Sequence, residues 1–351
     1  MNYEEIFFDD TKNSKKIKKE YYLVEGKYPI IDQGKENIAG YFNEETGIYK
    51  STNPVIIFGD HTRIIKYIDF PFFLGADGVK ILKVKNEKFL AKYLYYALLK
   101  FKIPNTGYNR HFKWLKNFKI EEIELEKQKK IVEILDKSNL IIKRKKEELK
   151  KLEELKKSLF YEMFGDPIRN EKGWEVKKLK NISYVNDKKK ILTPKEKYWL
   201  LNLEEIEAGS GRIILKKRIK YEDLPSSISY FDKNWILYSK LRPYLNKVVL
   251  SDEEGFCTSE LIALRPNLEY LTDVFLWKYL MNNTILEYLK IHVSGAKMPR
   301  VVMEDFKNLK VVIPPLELQQ KFSERIRDVD KLKFTEISSN KSCIMLRKRI
   351  K

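Results

Sequence analysis

From Glu124 to Phe164 the chain contains neither glycine nor proline, and nearly every residue in that stretch is a good helix former. Leu135, Ile142 and Leu149 recur every seven residues, with Ile131, Leu152 and Leu159 on the adjoining seam and Ile134, Ile141 and Leu155 widening the stripe. Ser138, Lys145 and Lys156 interrupt it with polar groups. Gly165-Asp166-Pro167 supplies the stop signal. About 40 helical residues would span on the order of 60 Å, more than a small domain can wrap. The apolar stripe asks for one partner helix of similar length in a coiled-coil arrangement. A solvated linker is the alternative, and it leaves the stripe without cover.

A second copy of this arrangement lies further along. Lys116-Asn117-Phe118-Lys119-Ile120 matches Lys307-Asn308-Leu309-Lys310-Val311 without a gap. In the same register Leu125-Glu126 falls on Leu316-Glu317, Gln128 on Gln319, Lys130 on Lys321 and Ile131 on Phe322. Pro314-Pro315 stops a strand, and the helix that follows offers Ile326, Val329, Leu332 and Phe334 as apolar positions. Its periodicity is lost over Ser338–Cys343, so this helix is expected to be short. The order is globular unit, long helix, globular unit, helix, and antiparallel packing of the helices is expected.

Within the globular units short apolar runs alternate with turns, as in Val55-Ile56-Ile57-Phe58 before Gly59 and Trp235-Ile236-Leu237-Tyr238 before Ser239. Each unit also holds a helix-like stretch, Phe89–Phe101 and Thr272–Leu289, and both read as mixed α+β folds. With 69 Lys+Arg against 50 Asp+Glu the formal net charge is +19, which points towards a polyanion. The alternative for such a surplus is a set of merely solvated lysines. Cys257 and Cys343 have no metal-ligand spacing, so a disulfide framework or a cysteine zinc site is not expected. There is no signal-like N-terminus and no run of about 18 apolar residues, which leads to an expected cytoplasmic protein that meets no membrane.

The chain resembles the specificity subunits of type I restriction-modification systems. The resemblance rests on the helix from Gln128-Lys129-Lys130-Ile131-Val132 to Leu155-Lys156-Lys157-Ser158, closed by Glu162-Met163-Phe164-Gly165-Asp166-Pro167. Gly173-Trp174 and Ile313-Pro314-Pro315-Leu316-Glu317 add to it, although the first unit lacks the Trp-containing opening of the second. The resemblance implies two target-recognition domains, residues 1–123 and 166–315, separated by two long antiparallel coiled-coil helices, 124–165 and 316–351, in a pseudo-two-fold internal repeat. It implies double-stranded DNA with a bipartite target as ligand, and two methyltransferase subunits and restriction subunits as partners. No cofactor is expected on this chain; S-adenosylmethionine, ATP and Mg belong on those partners.

Catalytic motifs do not appear. There is no phosphate-binding G-x-x-x-x-G-K-[ST] loop, Asn53-Pro54-Val55-Ile56 does not complete a methyltransferase motif, and His61, His111 and His292 form no H-E-x-x-H pair. For DNA reading the strongest segment is Lys240-Leu241-Arg242-Pro243-Tyr244-Leu245-Asn246-Lys247, where Arg can fork onto guanine and Asn onto adenine. Arg242 paired with a carboxylate and Tyr244 packed in the core is the alternative there. Ser294–Arg300, with Lys297 and Arg300, is a second loop, and Tyr108, Asn109 and Arg110 are its counterpart in the first unit. His61 and Arg63 offer a further edge, with a bare strand-end turn as the alternative; Gly75–Gly78 reads as a turn. A standalone nuclease or methyltransferase and a coiled-coil scaffold are the rival functions. Missing cofactor motifs argue against the first, and paired aromatic-rich units against the second.

Overall fold

The computed structural model describes every residue except 76–77, 108, 186–195, 296 and 350–351, and side chains outside 333–349. The chain divides into two compact units, one containing Met1–Arg144 with the chain's end from Asn340, the other Lys145–Ser339.

In the first unit the strand Val55–Gly59 is buried along its whole length. Side chains alternate faces along a strand, and Ile56 and Phe58 enter one core with Phe7, Leu82, Leu94, Leu98 and Leu115. Val55 and Ile57 enter another with Ile31, Ile68, Leu74 and Ile81. A continuous apolar run is what a strand covered on both faces needs. Its antiparallel sheet has the order Phe7–Asp9, Val79–Val84, Val55–Gly59, Ile65–Ile68, with Ile57 opposite Ile81. A smaller sheet places Tyr28–Ile31 between Gly40–Phe42 and, in parallel, Phe73–Leu74.

The second unit repeats that plan. Ser183–Val185, Leu261–Pro266, Ile236–Ser239 and Val248–Leu250 form the antiparallel sheet in the equivalent order. Tyr198–Leu201 runs parallel to Gly255–Thr258, as Tyr28–Ile31 does to Phe73–Leu74. Ile236 and Tyr238 face one core and Leu237 the other. The repeat therefore runs through the heads themselves, where the sequences share little beyond apolar character. The helix expected over Thr272–Leu289 is two, Asp273–Met281 and Asn283–Ile291, because Asn282 is extended and its side chain accepts from Thr284 N at 2.8 Å.

The central helix spans Leu125–Phe164 and the final helix Leu316–Arg349. Inside the second unit they run antiparallel: Phe160 and Phe164 pack on Phe322, with centroids at 5.9 and 5.0 Å, while the earlier Lys156 meets the later Asp330. Leu135 is buried, and Ile131, Ile142, Leu149, Leu152 and Leu159 are half-buried on one stripe. Ile134, Ile141 and Leu155 do not widen it; they are 45%, 42% and 45% exposed. Each precedes a seam position by one residue and so lies about 100° round the helix from it. The polar interruptions, by contrast, sit on the covered side. Lys156 is buried and pairs with Asp330 and with Glu153 at 3.2 Å, so its ammonium is matched rather than stranded. The final helix does not stop at Ser338–Cys343, because Ser, Asn and Cys cost little in a helix when glycine and proline are absent. Leu332 is 59% exposed rather than packed; Phe334 lies outside the described side chains.

Candidate nucleic-acid interface

In the second unit the strand Ile236–Ser239 runs out into Lys240–Lys247, which meets the loop ending at Arg300. Lys240 N donates to Glu260 O at 2.9 Å, Val301 N to Lys240 O at 2.9 Å, and Arg242 N to Pro299 O at 2.8 Å. Leu241 and Arg300 form a β-bridge. Two segments far apart in sequence thus make one surface. Arg242 and Asn246 hold left-handed backbone, with φ of 50° and 44°. For Arg242, which also precedes a proline, that is a strained state, held by the Pro299 contact and by Leu245 N donating to its carbonyl at 2.9 Å.

Arg242 is exposed and has no ion pair among the described residues, and Tyr244 is 48% exposed, so neither is consumed by the core. Lys297 is exposed beside them and Lys240 half-buried. Arg300 is exposed but engaged: its Nη2 donates to Glu260 Oε1 at 2.7 Å and its Nε to Oε2 at 3.4 Å. Two residues expected to contact DNA are turned inward instead. Asn246 is buried, its Nδ2 donating to Met281 O at 2.8 Å, and Lys247 Nζ donates to Leu203 O at 2.9 Å. Both brace the loop, because each turns its polar head onto a main-chain carbonyl of its own unit instead of projecting it outward. Below, burial pushes the Cys257 thiol up to about 12, with the Lys240 charge pulling weakly the other way.

The first unit builds the same junction from different residues. Asp60 N donates to Gly78 O at 2.7 Å and His111 N to Asp60 O at 2.9 Å, matching the bonds of Lys240 and Val301. Strand register agrees, Gly59 opposing Val79 as Ser239 opposes Leu261. Arg110 thereby occupies the position of Arg300, and Gly78 that of Glu260. Arg110 is exposed, with no ion pair among the described residues. His111, fully buried, places Nδ1 3.0 Å from Asp60 O and Nε2 3.3 Å from Thr106 Oγ1, and the Asp60 carboxylate accepts from Phe112 N at 2.7 Å. Asn109 is exposed, its amide bonded to Thr106 O. His61 is half-buried, its N–H on Gln33 Oε1 at 3.2 Å. Arg63 is half-buried with φ 61°, its Nη1 reaching Ile103 O at 3.4 Å, so it packs against the 101–105 segment more than it projects. Tyr108 lies outside the described residues.

Gln128 and Gln319 align in the repeat, and nothing in the sequence assigns either a task. Gln128 Nε2 donates to Lys88 O at 2.7 Å and Ile123 O at 2.8 Å, and its Oε1 accepts from Leu90 N at 2.9 Å. Gln319 Nε2 donates to Tyr270 O at 2.9 Å and Pro314 O at 2.8 Å, and its Oε1 accepts from Thr272 N at 2.9 Å. Leu90 and Thr272 each cap the N-terminus of a head helix. The same buried amide therefore clips each long helix to its own head. At the far end of the central helix Gly165 turns with φ 78°, Lys172 Nζ donates to Glu162 O at 2.6 Å, and Trp174 Nε1 to Phe164 O at 2.9 Å. These bonds satisfy the last carbonyls of the helix.

Among the described residues no group of three or more His, Cys, Asp or Glu side chains is placed to hold a metal ion, and no helix is long and apolar enough to cross a membrane.

A family model described as the type I restriction modification DNA specificity domain matches residues 4–154 and again 171–342. The specificity subunit of the type I restriction enzyme EcoDI of Escherichia coli is 25% identical over 124 residues, 35% of this chain and 27% of that one. The alignment thus spans about a quarter of that relative's length. The MjaIX specificity subunit of Methanocaldococcus jannaschii is 24% identical over 301 residues, 76% of this chain and 68% of that one. The crystal structure of the type I restriction-modification S subunit from M. genitalium superposes with a TM-score of 0.62 at 17% identity, covering 100% of this chain and 94% of that one. Identity that low speaks to the fold alone. Matched twice and over most of its length, this chain belongs to the type I restriction-modification DNA specificity family.

Proposed function

We propose that this chain is the DNA-reading subunit of a type I restriction-modification complex, with residues 1–123 reading one half of a split target and 166–315 the other. The observation that carries this reading is the duplicated junction, which sets an exposed arginine, Arg110 or Arg300, on the same backbone support in each head. Around Arg300, Arg242, Tyr244, Lys240 and Lys297 supply a fork, a stacking ring and phosphate-seeking charge. Asn109 stands beside Arg110. The net charge of +19 favours the polyanion.

In this reading the helices 124–165 and 316–351 fix the gap between half-sites and dock two methyltransferase subunits, with restriction subunits joining them in the cytoplasm. The exposed Ile134, Ile141 and Leu155 give the central helix an apolar row that its own seam does not use. S-adenosylmethionine, ATP and Mg are handled by the partners, and this chain performs no chemistry. Purified alone, it binds duplex DNA weakly, and with about six phosphates neutralised log affinity falls against log salt with a slope of about −5. Methyl transfer by the isolated chain, persisting after rigorous removal of partners, would overturn the reading.

A further inference from the structure

Among the positions at which the two junctions differ, one puts a partly exposed carboxylate on a surface meant for a polyanion. Glu260 stands where the first head has Gly78, directly before the inner strand of the sheet. An exposed ion pair adds little to stability, and a negative charge beside phosphates weakens binding. Its use must therefore lie in what it does to Arg300.

The contact geometry says what that is. Glu260 takes the Nε–H and one Nη2–H of Arg300, at 3.4 and 2.7 Å. Among the described residues the outer edge of the guanidinium, Nη1–H with the remaining Nη2–H, stays unused. That edge is a planar pair of parallel donors, the arrangement that meets O6 and N7 of guanine. Glu260 and the residue after Arg300 are pinned through their backbones to Lys240, Glu260 O accepting from Lys240 N and Lys240 O from Val301 N, each at 2.9 Å, and Arg300 itself bridges to Leu241. A long, rotatable side chain is thus held with one edge covered and the other presented. Arg110, with Gly78 in the equivalent place, has no such brace among the described residues.

Resting on the DNA-reading role proposed above, we infer that Glu260 is a positioning residue that orients Arg300 to read a guanine in the half-site of the second head. Arg300 makes the contact, and Glu260 sets its angle and removes its other hydrogen-bonding choices.

The test uses the full chain assembled with its methyltransferase partners and a pool of duplexes randomised across the target. Arg300→Ala should flatten the preference at one base position of one half-site. Glu260→Ala should flatten the same position, by roughly the 5- to 150-fold that a bidentate arginine–guanine contact commands. Affinity for unrelated duplex should stay level or rise, because a negative charge has been removed. Glu260→Gln, which removes the same charge but keeps an acceptor oxygen, should retain most of the discrimination. The inference is overturned if Glu260→Ala leaves the position as sharp as before while Arg300→Ala flattens it. It is equally overturned if Glu260→Gln loses as much as Glu260→Ala, since charge and not orientation would then be responsible. Arg300→Ala that leaves every base position as sharp as before also overturns it, and the DNA-reading role is then judged separately by Arg242→Ala in the same assay.

Discussion

Replacing Gln319 with leucine keeps the volume of a fully buried side chain and removes all of its hydrogen bonds. Three main-chain groups then lose their partner: the N–H of Thr272 and the carbonyls of Tyr270 and Pro314. An unsatisfied buried polar group costs about 1–3 kcal/mol. After allowing for the gain in apolar burial, Gln319→Leu should destabilise its unit by about 3–6 kcal/mol, a large part of a typical domain's roughly 5–15 kcal/mol. Gln128→Leu should cost the first unit a similar amount, because its three bonds are the same in kind and close in length. Urea unfolding of the full chain, followed by hydrogen exchange so that each unit is read separately, measures both. Loss of protection should begin at Thr272 in one variant and Leu90 in the other. Gln319→Glu adds a pH arm. A buried carboxylate facing two carbonyls has its folded pKa raised, so this variant should be weakest at neutral pH and regain stability as pH falls and the protonated acid donates again. If either leucine variant costs less than about 1 kcal/mol, the clips do not hold heads to helices, and the physical meaning given to the repeat is wrong.

Other consequences follow from the seam and the core. Lys156→Met should leave stability within about 1 kcal/mol of the parent or raise it, since replacing a buried ion by an apolar side chain removes its desolvation cost and Asp330 keeps 40% exposure; a loss of about 3 kcal/mol or more in a urea melt would show that the pair is a net stabiliser. Cys257, fully buried with its thiol pushed up to about 12, should resist alkylation in the folded protein and react only on unfolding, so labelling mapped to Cys257 in the native chain at neutral pH would contradict its placement. Adding one heptad to each long helix preserves the seam and lengthens it by about 10.5 Å, close to three base-pair steps of about 3.4 Å. Methylation mapping of the complex should show a longer gap with both half-sites intact, and an unchanged gap would remove the ruler.

The sequence revealed local features well and long-range ones poorly, for physical reasons. The central helix was legible because an unbroken run of helix formers, a heptad stripe and a Gly-Asp-Pro stop are all local signals. Its polar seam residues were legible as anomalies, but the match for Lys156 lies in another helix, at Asp330. The equivalence of Gln128 and Gln319 could be read, yet its cause could not, because the carbonyls those amides bind come from the turn before a head helix. Strand pairing in the heads left almost no trace in sequence: Val55–Gly59 and Ile236–Ser239 share only burial. For the interface, the basic loops were found by composition. Glu260 was missed because nothing nearby in sequence announces that it will face Arg300. Asn246 was given a base edge because composition cannot distinguish an amide that reads DNA from one that props up a left-handed turn.

The central claim is that each head reads its own half of a split target, and mapping methylation sites of the assembled complex carrying single arginine variants tests it most directly. Arg242→Ala should relax or weaken one half-site, by about 1–3 kcal/mol if it forks onto guanine. Arg110→Ala should do the same to the other half, and neither should move the gap. Equal disturbance of both halves by Arg242→Ala would contradict the account and leave a single composite DNA surface in its place.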